Sequence, residues 1–115
     1  MRTLIVEDDF TSRILLQSYL SQFGECHIAI NGLEALEVID AGGEPPCMVV
    51  LDLAMPVMDG REFLRACAQN DKLSQIPVVV LSADARDGQD MEGALACLRK
   101  PTSPDSLLRL LTHLC

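Results

Sequence analysis

Aromatic and basic residues are both scarce in this chain. Three Phe, one Tyr and no Trp occur among 115 residues, so a hydrophobic core must be filled mainly by aliphatic side chains. The aromatic surfaces on which single-stranded nucleic acid stacks are nearly absent. Nine Lys and Arg against seventeen Asp and Glu give a formal net charge of -8, which is unfavourable for contact with a phosphate backbone. We therefore expect no direct nucleic-acid partner.

Long apolar runs are missing too. None approaches the roughly 20 residues that a transmembrane helix needs, and only a few apolar positions precede Glu7. These absences predict a cytoplasmic protein that has no membrane contact. Hydrophobic residues make up 49% of the sequence and charged residues 23%, as in globular domains. The length, without repeats or linkers, predicts a single domain over residues 1–115.

The cysteines lack the spacing of a metal site or of a disulfide framework. Five are present, and no two form a C-x-x-C pair. An odd and scattered set favours reduced, mostly buried thiols. Cys115 is expected to be exposed and to form oxidative dimers.

Short apolar runs alternate with segments of helical periodicity. Three runs lack polar alternation, as strands buried on both faces do: residues 3–6, 47–51 and 78–81. Weaker strands are predicted at 26–30 and 96–99, the first at a sheet edge because it contains His27. Apolar residues at helical spacing occur between and after these runs, for example Leu16, Leu20 and Phe23. The pattern predicts an α/β fold, a parallel sheet covered by helices.

Polar residues stand where the predicted strands end. They are Glu7, Asp8, Asp9, Asp52, Ser82 and Lys100. Ligands of an open parallel sheet bind outside the carboxyl ends of its strands, so these side chains are expected to converge. Clustered carboxylates repel one another, and a hard cation such as Mg²⁺ relieves the repulsion. An Asp beside Mg²⁺, with a Lys and a Ser nearby, can accept a phosphoryl group, so phosphoryl transfer is the predicted reaction class.

Each of these residues also has a purely structural explanation. The acids at 7–9 suit a helix N-terminus, Ser82 suits a helix cap, Asp52 suits a turn, and Lys100 suits an exposed surface. Five such coincidences at strand ends are less probable than one site.

Four segments resemble the receiver domain of two-component response regulators, the family typified by CheY. They are Leu4–Asp9, Val50–Gly60, Val80–Ala83 and Lys100–Pro101. The resemblance covers the whole chain. It implies a doubly wound, five-stranded parallel sheet in the order 2-1-3-4-5, with helices on both faces. The implied activity is that of a phosphoacceptor signalling domain, which catalyses only its own phosphorylation and slow dephosphorylation.

The resemblance also implies roles for individual residues. Asp52 would be the phosphoacceptor, and Asp8 and Asp52 would bind Mg²⁺ together with the backbone carbonyl of Ala54. Glu7 would reach the metal through water, which leaves Asp9 outside the site. A register shifted by one residue would instead use Asp8 and Asp9.

Two further residues match the family at the phosphoryl group. Ser82 would hydrogen-bond it, and Lys100 would contact one of its oxygens. The Lys100–Pro101 peptide bond resembles one that is cis in the family. The implied partners are a sensor histidine kinase or histidine phosphotransfer protein and a downstream protein target.

Departures from the family motivate an alternative. Cys97 occupies the position of a switching aromatic residue, Ser82 replaces the commoner Thr, and the segment 82–100 is short, with a weak fourth helix expected near 84–90. A phosphorylation-independent docking domain is therefore the second hypothesis. A phosphatase that uses an Asp nucleophile is disfavoured because Ala54 interrupts the usual D-x-D pair, and flavin binding is disfavoured by the acids after the first strand. The sequence leaves open whether the domain acts alone or within a larger protein.

Overall fold

The sheet of this protein is parallel and has five strands. The computed structural model describes residues 2–41, 45–52, 60–70, 73–82, 94–99 and 104–115. The strands are β1 (Arg2–Val6), β2 (Glu25–Ala29), β3 (Met48–Asp52), β4 (Val78–Ser82) and β5 (Ala96–Arg99). Their order is β2-β1-β3-β4-β5, with every neighbouring pair parallel. The predicted α/β class and strand order are confirmed.

Strand bounds differ by one residue from the apolar runs. Asp52 pairs with Leu81 and Ser82 pairs with Arg99, so both polar residues are the last residues of strands and not the first of loops. The ladder hydrogen bonds continue past the last apolar side chain because backbone pairing does not depend on side-chain polarity. As predicted, the strand that holds His27 lies at an edge of the sheet.

Four helices are described. They are α1 (Phe10–Leu20), α2 (Gly32–Asp40), α3 (Gly60–Ala68) and α4 (Pro104–Leu114), with short 3₁₀ helices at Ser21–Phe23 and Leu73–Gln75. Asn31 caps α2, since its Oδ1 accepts a hydrogen bond of 2.8 Å from the backbone N–H of Glu34. Gly24, which ends the first helical segment, has φ 155°, a conformation that residues with a Cβ avoid.

The core has two halves, one on each face of the sheet. Along β1, Leu4 and Val6 belong to one half, with α2 and α3, whereas Ile5 belongs to the other, with α1 and α4. This alternation follows from the two-residue period of a strand. Helices therefore cover both faces, as predicted. Phe23 is an exception to the predicted α1 stripe: it is 40% exposed, because the tighter 3₁₀ turn rotates it away from Leu16 and Leu20.

The cysteines depart from expectation at two positions. Cys47 and Cys115 form a disulfide with a Cα–Cα distance of 5.6 Å, so the expectation of reduced thiols is wrong for this pair. The fold brings the residue before β3 against the residue after α4, a contact that cysteine spacing along the chain does not reveal. Of the others, Cys67 is buried, Cys26 is half-buried and Cys97 is exposed.

Several predictions fall on residues outside the described ranges. They concern Ala54, Lys100, Pro101 and the expected helix near 84–90. Among the helices that are described, none has the length and apolar character to cross a bilayer.

Candidate functional site

Polar side chains are buried at the carboxyl ends of the central strands. Glu7 is 0% exposed, Asp52 6% and Ser82 3%, whereas the strand interiors around them are aliphatic. A buried carboxylate is costly unless it is paired, hydrogen-bonded or bound to a cation. The buried polar groups at this edge therefore mark it as the place to look for a site.

Strand register explains why these residues meet. Val6 pairs with Leu51, so Glu7 and Asp52 each stand one residue further along neighbouring strands. On the other side of β3, Asp52 pairs with Leu81, the residue before Ser82. Because these parallel strands end at the same level, Glu7, Asp52 and Ser82 come together at one edge of the sheet.

Three carboxylates form a cluster at this edge. One oxygen from each of Glu7, Asp8 and Asp52 lies within 4.8 Å of the others. Asp8 is exposed while the other two are buried, so the cluster is open to solvent on the Asp8 side. All donors are carboxylate oxygens, the ligands that Mg²⁺ prefers, and one or two carboxylates are the usual protein contribution to a Mg²⁺ site. The residues fit a hard divalent cation.

The loop that carries the acids is held by Arg13 of α1. Its Nη1 donates hydrogen bonds to the carbonyl oxygens of Glu7, at 3.3 Å, and Asp8, at 3.5 Å. The Oε1 atom of Glu7 accepts a hydrogen bond of 3.2 Å from the backbone N–H of Asp9. The guanidinium also lies 5.6 Å from the centroid of the Phe10 ring. These contacts fix the turn between β1 and α1 and bring a positive charge close to the cluster.

Asp9 has a different environment from its two acidic neighbours. Its Oδ2 accepts a hydrogen bond of 2.9 Å from the backbone N–H of Ser12, which makes it the N-cap of α1. The cluster joins Asp52 with Glu7 and Asp8. The sequence signal for this difference is the preference of Asp for the position directly before a helix.

An apolar patch next to the acids was not anticipated from the sequence. Phe10 is 65% exposed and Ile14 46% exposed, both on α1. Their spacing of four residues places them on one side of the helix, and they are separate from the buried Leu16 and Leu20. The four-residue spacing of Phe10 and Ile14, outside the stripe of Leu16 and Leu20, was the sequence signal for this patch.

A doubly wound parallel sheet with an acidic cluster at its carboxyl edge defines the class of CheY-like folds. Within that class the chain belongs to the response regulator receiver domain family, whose model matches residues 3–112. It is a receiver domain of two-component systems, and receiver domains are signalling domains. The carboxylates of Glu7, Asp8 and Asp52 could together hold a metal ion.

Relatives and solved structures agree with this membership. A probable transcriptional regulator, ycf29, of Porphyra purpurea is 35% identical over 96% of this chain and 54% of its own length. The chain spans about half the length of the first curated relatives that it matches.

Two solved structures are similar along nearly the whole chain. The signal receiver domain of a signal transduction histidine kinase from Syntrophus aciditrophicus has a TM-score of 0.87 and 29% identity, covering 98% of this chain and 88% of that one. The response regulator TrrA of Thermotoga maritima, solved in complex with Mg²⁺-BeF, has a TM-score of 0.86 and 27% identity, covering 99% and 98%.

Proposed function

We propose that this protein is a Mg²⁺-dependent phosphoacceptor in which Asp52 receives a phosphoryl group from a histidine kinase or a histidine phosphotransfer protein. The observation that carries the proposal is the meeting of Asp52 with Glu7 and Asp8 at the end of the central strand. The chain itself acts as a phosphoacceptor signalling domain in the cytoplasm and catalyses only its own phosphorylation and dephosphorylation.

Asp52 is the nucleophile in this proposal. One of its carboxylate oxygens forms a bond to phosphorus, while the bond from phosphorus to the donor breaks and its electron pair leaves with the donor. When bound, Mg²⁺ offsets the negative charge of the acids and of the transferring oxygens. Asp8, Asp52 and the carbonyl of Ala54 would hold it directly, and Glu7 through water.

Ser82 and Lys100 are proposed to bind the phosphorylated carboxylate. The buried Ser82 ends β4, next to β3, and its hydroxyl can donate a hydrogen bond to a phosphoryl oxygen. Lys100 follows Arg99, the strand partner of Ser82, and would supply a positive charge. New negative charge at Asp52 would thus act on two strand ends and switch a surface that a downstream protein reads.

The donor protein is proposed to dock over α1. Phe10 and Ile14 present apolar surface there, and Phe10 directly follows the loop that carries the acids. Exposed apolar surface beside a polar site is typical of a protein contact. The complex of TrrA with Mg²⁺-BeF supports the chemistry by similarity.

Intact-protein mass after incubation with acetyl phosphate tests the proposal. We expect one phosphoryl adduct that requires Mg²⁺ and is absent in Asp52→Asn. Asp9→Asn is the matched control, because Asn keeps the helix cap and Asp9 is not in the cluster; it should be labelled like the wild type. An adduct that persists in Asp52→Asn, or wild-type protein that gives neither an adduct nor amide NMR shifts with beryllofluoride, would overturn the proposal.

A docking domain that works without phosphorylation is the second candidate. It is favoured by the exposed Cys97 at the position where related receivers carry a switching aromatic residue. Under this hypothesis the affinity for the downstream partner is the same for wild type and Asp52→Asn, with or without acetyl phosphate.

A further inference from the structure

The end of the sheet opposite the acids carries a covalent link. Cys47 immediately precedes β3, the strand that ends in Asp52, and Cys115 immediately follows α4. Their Cα atoms are 5.6 Å apart in a disulfide that joins positions 68 residues apart in sequence. That Cα separation lies within the range that a disulfide spans without backbone movement.

Both cysteines of the link are partly exposed to solvent. Cys47 and Cys115 are half-buried, so neither residue is enclosed in the core. Cys67 differs: it lies on the buried face of α3, in the half of the core that α2 and α3 cover, and burial raises the pKa of its thiol to about 11. Thiol–disulfide exchange needs access and a thiolate, and it therefore favours the first two positions over Cys67.

The last turn of α4 is less deeply buried than the middle of the helix. Leu107 and Leu111 are 0% and 2% exposed and anchor the middle of the helix in the core. In the last turn, His113 is exposed, and Leu114 and Cys115 are half-buried at the margin of that core. The backbone N–H of Cys115 donates a 2.8 Å hydrogen bond to the carbonyl of Leu111, which continues the helix but does not attach it to the sheet.

We propose that Cys47 and Cys115 are a reversible thiol–disulfide switch that tethers the last turn of α4 to the start of β3 when oxidised and releases it when reduced. The oxidant class is a low-molecular-weight disulfide, such as oxidised glutathione. The thiolate of one cysteine attacks it, forming a mixed disulfide and releasing one thiolate. The second cysteine then attacks the mixed disulfide, closes the link and releases the second thiolate. The two protons of the cysteines pass to the two released thiols, and two electrons pass to the reagent.

This switch is a second input, separate from phosphorylation. It acts at the opposite end of β3 from Asp52, and none of its atoms belongs to the acidic cluster. It also needs no phosphodonor, so it does not depend on the proposed function. The experiment is therefore run in parallel on wild type and Asp52→Asn, which should behave alike.

Equilibration in glutathione buffers of graded ratio tests the switch. After alkylation of free thiols, peptide mapping should yield a Cys47–Cys115 cross-linked peptide whose fraction rises with oxidised glutathione and returns to zero with excess reduced glutathione. The oxidised protein should have a Tm higher by roughly 10 °C. Amides of residues 112–115 should exchange hydrogen faster in the reduced protein through local opening, whereas those of β3 should change only by the factor expected from the lower global stability.

Three variants separate the switch from other thiol chemistry. Cys47→Ser and Cys115→Ser should each abolish the redox dependence of Tm and of exchange, whereas Cys97→Ser, which removes an exposed thiol outside the pair, should retain both. Each protein is compared in its reduced and its oxidised state, so the test does not require that the Ser variants are as stable as the wild type. Glutathione adducts on both cysteines without a cross-link, or a cross-link that leaves exchange at 112–115 unchanged, would overturn the proposal.

Discussion

The two ends of β3 are held in place by different means. At the carboxyl end, Asp52 lies among carboxylates of its own charge and beside the buried Ser82. At the amino end, Cys47 is tied covalently to Cys115. Between them the strand is aliphatic and wholly buried, with residues 48–51 no more than 1% exposed.

The difference shows where this fold carries stability and where it carries chemistry. Like charges at the carboxyl end repel one another, so under the proposed function that end would gain stability from a bound cation. The amino end gains it from a cross-link that restricts the unfolded chain. The proposed functional groups thus occupy the end of the strand that is rich in charged and polar side chains, and the cross-link occupies the other end. The experiments below act on one end at a time.

The largest effect expected at the carboxyl end is stabilisation by Mg²⁺. A cation that binds only the folded state adds about 2.7 kcal/mol to the free energy of unfolding at a concentration 100 times its Kd. Urea unfolding with and without MgCl₂ should show this gain in wild type and in Asp9→Asn. It should be lost in Asp52→Asn, and an equal gain in that variant would place the cation elsewhere.

Removal of one charge from the cluster should stabilise the metal-free protein. Asp52→Asn eliminates the repulsion with Glu7 and with Asp8, each about 1 kcal/mol for unit charges roughly 4 Å apart in water, so a gain of about 2 kcal/mol is expected. Urea unfolding in EDTA measures it. Because the repulsion is electrostatic, the gain should shrink in 1 M salt. A destabilised variant would mean that Asp52 accepts hydrogen bonds worth more than the repulsion.

The cap of α1 provides a contrast within the same acidic triplet. Asp9→Ala should lower the free energy of unfolding by about 1 kcal/mol, since the Ser12 backbone N–H loses its acceptor. Asp9→Asn should lower it by only a few tenths. Both variants should keep the Mg²⁺ dependence of stability, and its loss in Asp9→Asn would assign Asp9 to the metal site.

A smaller effect concerns the buried thiol of Cys67. Burial raises its pKa from 9.0 to about 11, so the folded state retains a proton that the unfolded state releases between these values. The contribution of this pKa shift to the free energy of unfolding is fully present below pH 9 and is lost as pH rises towards 11. Between pH 8 and pH 9.5, wild type should lose about 0.8 kcal/mol more than Cys67→Ala. Parallel pH profiles of the two proteins would show that the thiol titrates as it does in the unfolded chain.

Much of the fold could be predicted because local sequence determines it. Uninterrupted apolar runs located the buried strands, and Asn31, which caps α2, is a residue type that favours the N-cap position. The strand order came from the resemblance of motifs at strand ends. The sequence placed Phe23 wrongly in the buried stripe of α1. It lies in a 3₁₀ turn, and apolar spacing along the chain does not reveal the change from α to 3₁₀ geometry.

Contacts between distant segments were the part that the sequence could not provide. The disulfide joins Cys47 to Cys115 only because α4 packs along the sheet, and pairwise spacing contains no such information. Likewise, the hydrogen bonds of Arg13 to the carbonyls of Glu7 and Asp8 depend on the angle at which α1 leaves β1. The exposed patch of Phe10 and Ile14 needed the orientation of the same helix.

The edges of the sheet have a consequence for how copies of this protein behave when crowded. An open strand invites another chain to extend the sheet, which leads to aggregation. β2, at one edge, carries Glu25 and His27, whose Oε1 and Nε2 atoms lie 3.1 Å apart, and β5, at the other, has only four residues. Polar side chains and short length both discourage strand addition. Both edges of the sheet are therefore poor templates for a further strand.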